Sequence, residues 1–142
     1  MLYHKHILIR FQLNSPRALP FTESLEQWVR KLIEAQGMEI VIGPNVAYVS
    51  DEGNEGPTGG CNIKTSHFAF HIWEKTGIIQ ADLYTCGRLY ELALLKAFEI
   101  FKPTYGEVMV IDRQDGFIIE DQVSGTYNAI LNYFQDGDID EY

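Results

Sequence analysis

Cysteine is scarce in this sequence, with two in 142 residues, which excludes a disulfide framework and fits a reducing compartment. Basic residues are outnumbered as well. Eleven Lys and Arg face twenty Asp and Glu, a net charge of −9, so nucleic acid and anionic membrane surfaces would be repelled. No apolar run is long enough to span a membrane, and the N-terminus has no apolar stretch of the signal-peptide kind. A cytoplasmic location is therefore expected. No repeat, low-complexity segment or linker divides the chain. At 46% hydrophobic and 22% charged it is neither disordered nor collagenous, and its length predicts one domain over residues 1–142. Four acids, Asp136, Asp138, Asp140 and Glu141, fall in the last seven residues and leave −5 for the rest. That ending resembles the start of a calcium loop but lacks the downstream bidentate Glu, so 135–142 reads as a solvated acidic tail.

The periodicities are clear in places. Lys5–Leu13 alternates Ile7, Ile9, Phe11 and Leu13 with Leu8, Arg10 and Gln12, the period of a half-buried strand. Ser15, Pro16 and Pro20 break it. Leu25, Trp28, Val29, Leu32 and Ile33 then follow helical spacing, with Thr22 or Ser24 as a cap and Gly37 as a stop. Met38–Ile42 and Val46–Ser50 read as two strands around Gly43-Pro44-Asn45. A Gly-rich acidic loop at 51–60 leads into a β-like run, Cys61–Trp73. Another strand spans Ile78–Cys86 and a helix Leu89–Phe101. A hairpin, Glu107–Ile111 and Phe117–Glu120, precedes a short helix over Thr126–Phe134. The order predicts an α+β fold, an antiparallel sheet with two main helices on one face. Apolar residues on both sides of several strands predict a homodimer or a second sheet against the other face.

Residues 58–87 hold the polar residues of interest. His67 and His71 are four apart, which on a strand separates them by about 13 Å. His4 and His6 share a strand face and could chelate, but no Cys or carboxylate partner is identifiable, so no metal is expected. Ser66, His71 and Asp82 suggest a triad, but the G-x-S-x-G elbow is missing. The loop at 51–60 has three acids and no Lys, and a strand follows it, so it is no phosphate cradle.

Taken together, the stretch TGGCNIKTSHFAFHIWEKTGIIQADLYTCG resembles the core of the prokaryotic S-adenosylmethionine decarboxylases, small pyruvoyl enzymes of polyamine synthesis. Thr58-Gly59, Ser66-His67, His71, Trp73, Asp82 and Thr85-Cys86-Gly87 fall in the family's register without a gap. A looser likeness runs from His6–Phe11 to the hairpin near 120. The resemblance implies self-cleavage between Thr65 and Ser66. The Ser66 hydroxyl would attack the preceding carbonyl, and elimination would leave a pyruvoyl group at residue 66, with fragments 1–65 and 66–142. It further implies His71 as the base for that elimination and Thr58 as a hydroxyl partner for the intermediate. Cys86 would be the proton donor in decarboxylation, in which the self-derived pyruvoyl group is the electron sink. A straight strand puts Ser66 and His71 on opposite faces, so this reading requires a kink or bulge between them.

Three positions depart from the family. Thr65 replaces a Glu, and Trp73-Glu74-Lys75 replaces Trp-Pro-Glu, whose Glu holds the substrate ribose. Glu52 stands where a Phe packs on the adenine, with Tyr48 as a substitute. The substrate contacts expected here are Tyr48, Glu52 and Glu74. Two alternatives remain open. One is the same chemistry on arginine or ornithine, met by Asp51, Glu52 and Glu55. The other is a binding homologue that never processes.

Overall fold

A computed structural model describes residues 3–14 and 22–139, with backbone alone for Thr22 and residues 136–139. The break at Ser15–Pro20, the Thr22 cap and the side chains of the acidic tail lie outside the described residues.

Strand β1 (Lys5–Leu13) buries Ile7, Ile9, Phe11 and Leu13 and turns its alternate residues to the other face. Helix α1 (Thr22–Ala35) buries Leu25, Trp28, Val29, Leu32 and Ile33. It ends at Gly37, whose φ of 71° favours glycine, while the Met38 N–H turns back to the Ile33 carbonyl at 3.3 Å. Strands β2 (Ile40–Val49), β3 (Gly56–Ile63), β4 (Ser66–Trp73) and β5 (Ile78–Thr85) follow. Helix α2 (Glu91–Lys96) continues as a 3₁₀ turn over Ala97–Phe101. Strands β6 (Pro103–Asp112) and β7 (Ile118–Thr126) lead into α3 (Tyr127–Ile139).

The seven strands form one antiparallel sheet in the order β2-β3-β4-β5-β1-β6-β7. The helices cover one face. Trp28 of α1 packs edge-on against Phe68 and Phe70 of β4 and against Phe98 and Phe101, while Phe11 of β1 meets Phe98 and Tyr127 of α3. The other face carries Leu8, Ala69 and Met109 around an open groove of about 560 Å³. Among the described residues, no helix is long and apolar enough to cross a membrane.

The expected α+β architecture is present, with the two main helices and the short third one, which is longer than expected. Several boundaries differ. Residues 40–49 are one strand, because register shifts against β3 absorb Gly43-Pro44-Asn45 as a bulge instead of a hairpin turn. The run Cys61–Trp73 divides into β3 and β4 at a Lys64-Thr65 turn. The expected helix over Leu89–Phe101 is a short α-helix followed by 3₁₀ geometry. Strand β7 runs on to Thr126, and backbone 136–139 continues α3 where a solvated tail is expected.

Only 51–55 of the Gly-rich stretch is turn; 56–60 is strand, and its glycines are there for closeness. A Cβ on Gly60 would lie 2.0 Å from the Phe68 carbonyl oxygen, and one on Gly59 2.3 Å from that of Asn45. Gly60→Ala is expected to force β3 from β4 and lower stability by about 1–3 kcal/mol, read as a drop in urea midpoint at unchanged slope.

Candidate functional site

The residues singled out by sequence lie at the two ends of β4. At its start, the β3–β4 turn presents the Thr65–Ser66 peptide to the end of β5. The Cys86 backbone N–H donates to Ser66 Oγ at 3.1 Å, and the Cys86 thiol donates to the Thr65 carbonyl oxygen at 3.2 Å. One residue thus touches both the hydroxyl and the carbonyl that it would attack. Cys86 Sγ is also 3.5 Å from His4 Nδ1 and 3.6 Å from the Tyr84 hydroxyl, which is itself 2.9 Å from His4 Nδ1. The hydrogen bond to Cys86, followed by burial, raises the Tyr84 pKa and keeps the phenol protonated. Cys61, the other cysteine, is buried, and desolvation pushes its thiol up to about 11, so it stays inert.

Polar side chains continue from Cys86 across the open sheet face. Period two on β5 aligns Asp82 and Tyr84, and Cys86 follows just past the strand's end. His6 of β1 and His67 of β4 both stand opposite Tyr84 in register. The Arg113 guanidinium lies 4.4 Å from the Tyr84 ring centroid and donates to His6 Nδ1 at 3.1 Å. A mouth of about 430 Å³ opens here, bounded by Lys64, Thr65, Ser66, His67, Tyr84 and Arg113.

At the far end of β4, Thr58 stands directly opposite His71, and its hydroxyl donates to the Phe70 carbonyl at 3.3 Å. His71 Nε2 lies 3.1 Å from the Asn54 carbonyl, and Trp73 Nε1 donates to Asn54 Oδ1 at 3.0 Å, so one turn residue holds both rings. Tyr48 and Glu74 are brought together here. Desolvation and then the Glu74 and Glu55 carboxylates raise the Tyr48 pKa. Glu55 is paired with Lys75 at 3.4 Å. Glu52 and Asp51 sit exposed in the turn.

The kink that would unite Ser66 with His71 is not present. β4 pairs in unbroken register with both neighbours. Five residues of strand separate the two by about 16 Å, on opposite faces. Within one chain, Ser66, Thr65 and Cys86 form one group; the other, at the far end of β4, has His71 and Thr58 on the open face and Tyr48, opposite Pro57, meeting Glu74 on the other side of the sheet. Tyr84, Arg113 and Asn54 are additions to the sequence reading, and His4, read there only as a chelator beside His6, is found against Cys86. Tyr84 was legible from its alternation with Asp82 and Cys86; the others depend on strand order and loop placement.

The model of the S-adenosylmethionine decarboxylase family matches residues 5–114. The chain is similar to the crystal structure of the adenosylmethionine decarboxylase from Aquifex aeolicus VF5, with 20% identity and a TM-score of 0.63 over 84% of this chain and 96% of that one. A phage SAM lyase in complex with S-methyl-5′-thioadenosine is 15% identical, with a TM-score of 0.43 over 87% and 89%. No curated protein matches in sequence.

Proposed function

The chain belongs to the S-adenosylmethionine decarboxylase family, and from that premise we propose that it is a self-processing, pyruvoyl-dependent decarboxylase of S-adenosylmethionine that serves polyamine synthesis. The observation that carries this reading is the double contact of Cys86 with Ser66 Oγ and the Thr65 carbonyl oxygen. A hydroxyl beside the carbonyl of its own preceding residue is placed for an N-to-O acyl shift. A thiol donor at that oxygen stabilises the negative charge that develops on it. Thr65 narrows the approach with its branched side chain but leaves the carbonyl in contact with the thiol.

After the shift, removal of the Ser66 Cα proton expels the Thr65 carboxylate, and addition of water to the resulting enamine, through its imine tautomer, releases ammonia and leaves a ketone at residue 66. That group supplies an electron sink for a substrate amine. Cys86 is then the proton donor nearest to residue 66, with His4 and Tyr84 fixing its sulfur.

The base and the substrate contacts belong to the other group. We assign them to a second copy of the chain. The open sheet face exposes Leu8 and Ala69 along a groove that also reaches His71 and Asp82. Two such faces packed as a sandwich about a two-fold axis bring His71 and Thr58 of one copy toward Thr65–Ser66 of the other. The homodimer is then part of the catalytic unit.

S-Adenosylmethionine, arginine and ornithine carry the same net charge, so the preference for the first rests on the acids that would meet a side-chain guanidinium or ammonium. Glu55 is already neutralised by Lys75. An exposed turn carrying Asp51 and Glu52 is no preformed guanidinium site.

Denatured mass of freshly purified protein tests the reading. Two fragments divided between Thr65 and Ser66 are expected, and borohydride should add mass to the second alone. A single uncut chain after long incubation would make this protein a non-catalytic binding homologue instead.

A further inference from the structure

His4 and His6 share a strand face without a carboxylate in their own segment; the fold provides one from another strand. His6, Asp82 and His67 lie on three adjacent strands, β1, β5 and β4, and all project onto the open face. Asp82 Oδ2 is 2.8 Å from His6 Nε2 and 3.8 Å from His67 Nε2, and the three donor atoms lie within 4.8 Å of one another. We propose that His6, His67 and Asp82 form a binding site for a divalent transition-metal ion of the zinc or cobalt type.

Two imidazoles and one carboxylate suit that class of ion and leave its remaining positions to water. The three strands fix the ligand backbones. Donors around such an ion stand about 3.3 Å apart at metal–ligand distances near 2.0–2.1 Å, so side-chain rotation suffices to close the set. Within one chain, side-chain exposure rises from 18% at His6 through 34% at Asp82 to 48% at His67, and His67 also lines the mouth at Thr65–Ser66, from which an ion can enter. The chain's acidic balance also favours a cation.

One neighbour opposes the ion. Arg113 donates to His6 Nδ1, which directs the Nε2–H of His6 at Asp82. Metal entry must replace that proton. His6 then carries its proton on Nδ1, where it no longer accepts from Arg113. The guanidinium retains its seat over Tyr84, with the Phe117 ring centroid 5.6 Å away on another side. Arg113 therefore acts as a gate on affinity, separate from the ligand set. Cys86 Sγ keeps to His4 and Thr65 and is not a ligand.

The test is calorimetric titration of the purified full-length protein with Zn²⁺ and Co²⁺, alongside the visible spectrum of the cobalt form. One ion per chain is expected. His67→Ala and Asp82→Asn should each weaken binding by more than about 100-fold, a larger loss than removal of an outer-sphere partner causes. Arg113→Met should tighten it, and Cys86→Ala should leave it unchanged. His67 is exposed, so its replacement leaves the core intact, and the circular dichroism of each variant checks folding. Absence of saturable binding, or binding that survives both ligand replacements, overturns the site. So does binding that requires Cys86. Because the readout is binding, its failure is distinct from a failure of the chain to cleave.

Discussion

Ser66→Ala is expected to leave a single 16.3 kDa chain and no decarboxylase turnover. The variant removes one oxygen at a half-buried position whose recorded partner is the Cys86 N–H, so the fold should persist. The chemistry should not, because in the proposed mechanism that oxygen is the nucleophile for the acyl shift and no ketone forms without it. Cys86→Ala separates the two roles of the sulfur. Loss of the donor at the Thr65 carbonyl is expected to slow cleavage by about 10²–10³-fold, as removal of one oxyanion donor does elsewhere. Chain that still cuts would then lack its proton donor in turnover. Time-resolved intact mass gives the cleavage rate, and carbon dioxide release gives turnover. Normal cleavage of the Ser66→Ala chain would sink the assignment of residue 66.

Trp28→Ala is expected to cost about 3–5 kcal/mol, measured as a fall in urea midpoint. Trp28 is 6% exposed and joins α1 to β4 and to the 3₁₀ turn through four edge-on ring contacts, 4.9–5.8 Å between centroids. Its indole N–H donates to the Ala97 carbonyl at 2.7 Å. Trp28→Phe keeps much of the packing but strands that carbonyl, at a cost of about 1–3 kcal/mol. The ordering of the two variants matters as much as their size. An equal loss in both would mean that the hydrogen bond dominates the ring contacts.

The sequence was most readable where a single period controls burial. Ile7, Ile9, Phe11 and Leu13 define β1, and Leu25 to Ile33 define α1, because each element meets the core along one face. It was least readable where glycine breaks the pattern. Gly59 and Gly60 look like loop residues, yet they are strand residues chosen for backbone proximity to β2 and β4. Gly43-Pro44 reads as a turn, and the β3 ladder carries through it as a bulge.

The site follows the same division. Thr58, Ser66, His71 and Cys86 were found by their register with the S-adenosylmethionine decarboxylase family, and the pairing of Thr58 with His71 follows from the β3–β4 hairpin. The distance between Ser66 and His71 was also legible from strand geometry. The kink expected to cancel it is not there. The cluster of His4, His6, Tyr84 and Arg113 could not be assembled from one strand's pattern, since it depends on β1 lying between β5 and β6.

That strand order also governs the timing and the permanence of any cut. Cleavage after Thr65 assigns β1–β3 to one piece and β4–β7 to the other, but β1 is inserted between two strands of the later piece. The pieces are interlocked, and separating them means breaking both ladders of β1 as well as the β3–β4 pairing. The same insertion makes β1 wait. Its partner β6 emerges roughly a hundred residues later, with Leu13 opposite Pro103. Such distant pairing is slow to form and comes late on a growing chain. The contact of His4 with Cys86 forms through the β1–β5 ladder, and the β6 ladder then locks β1 in place.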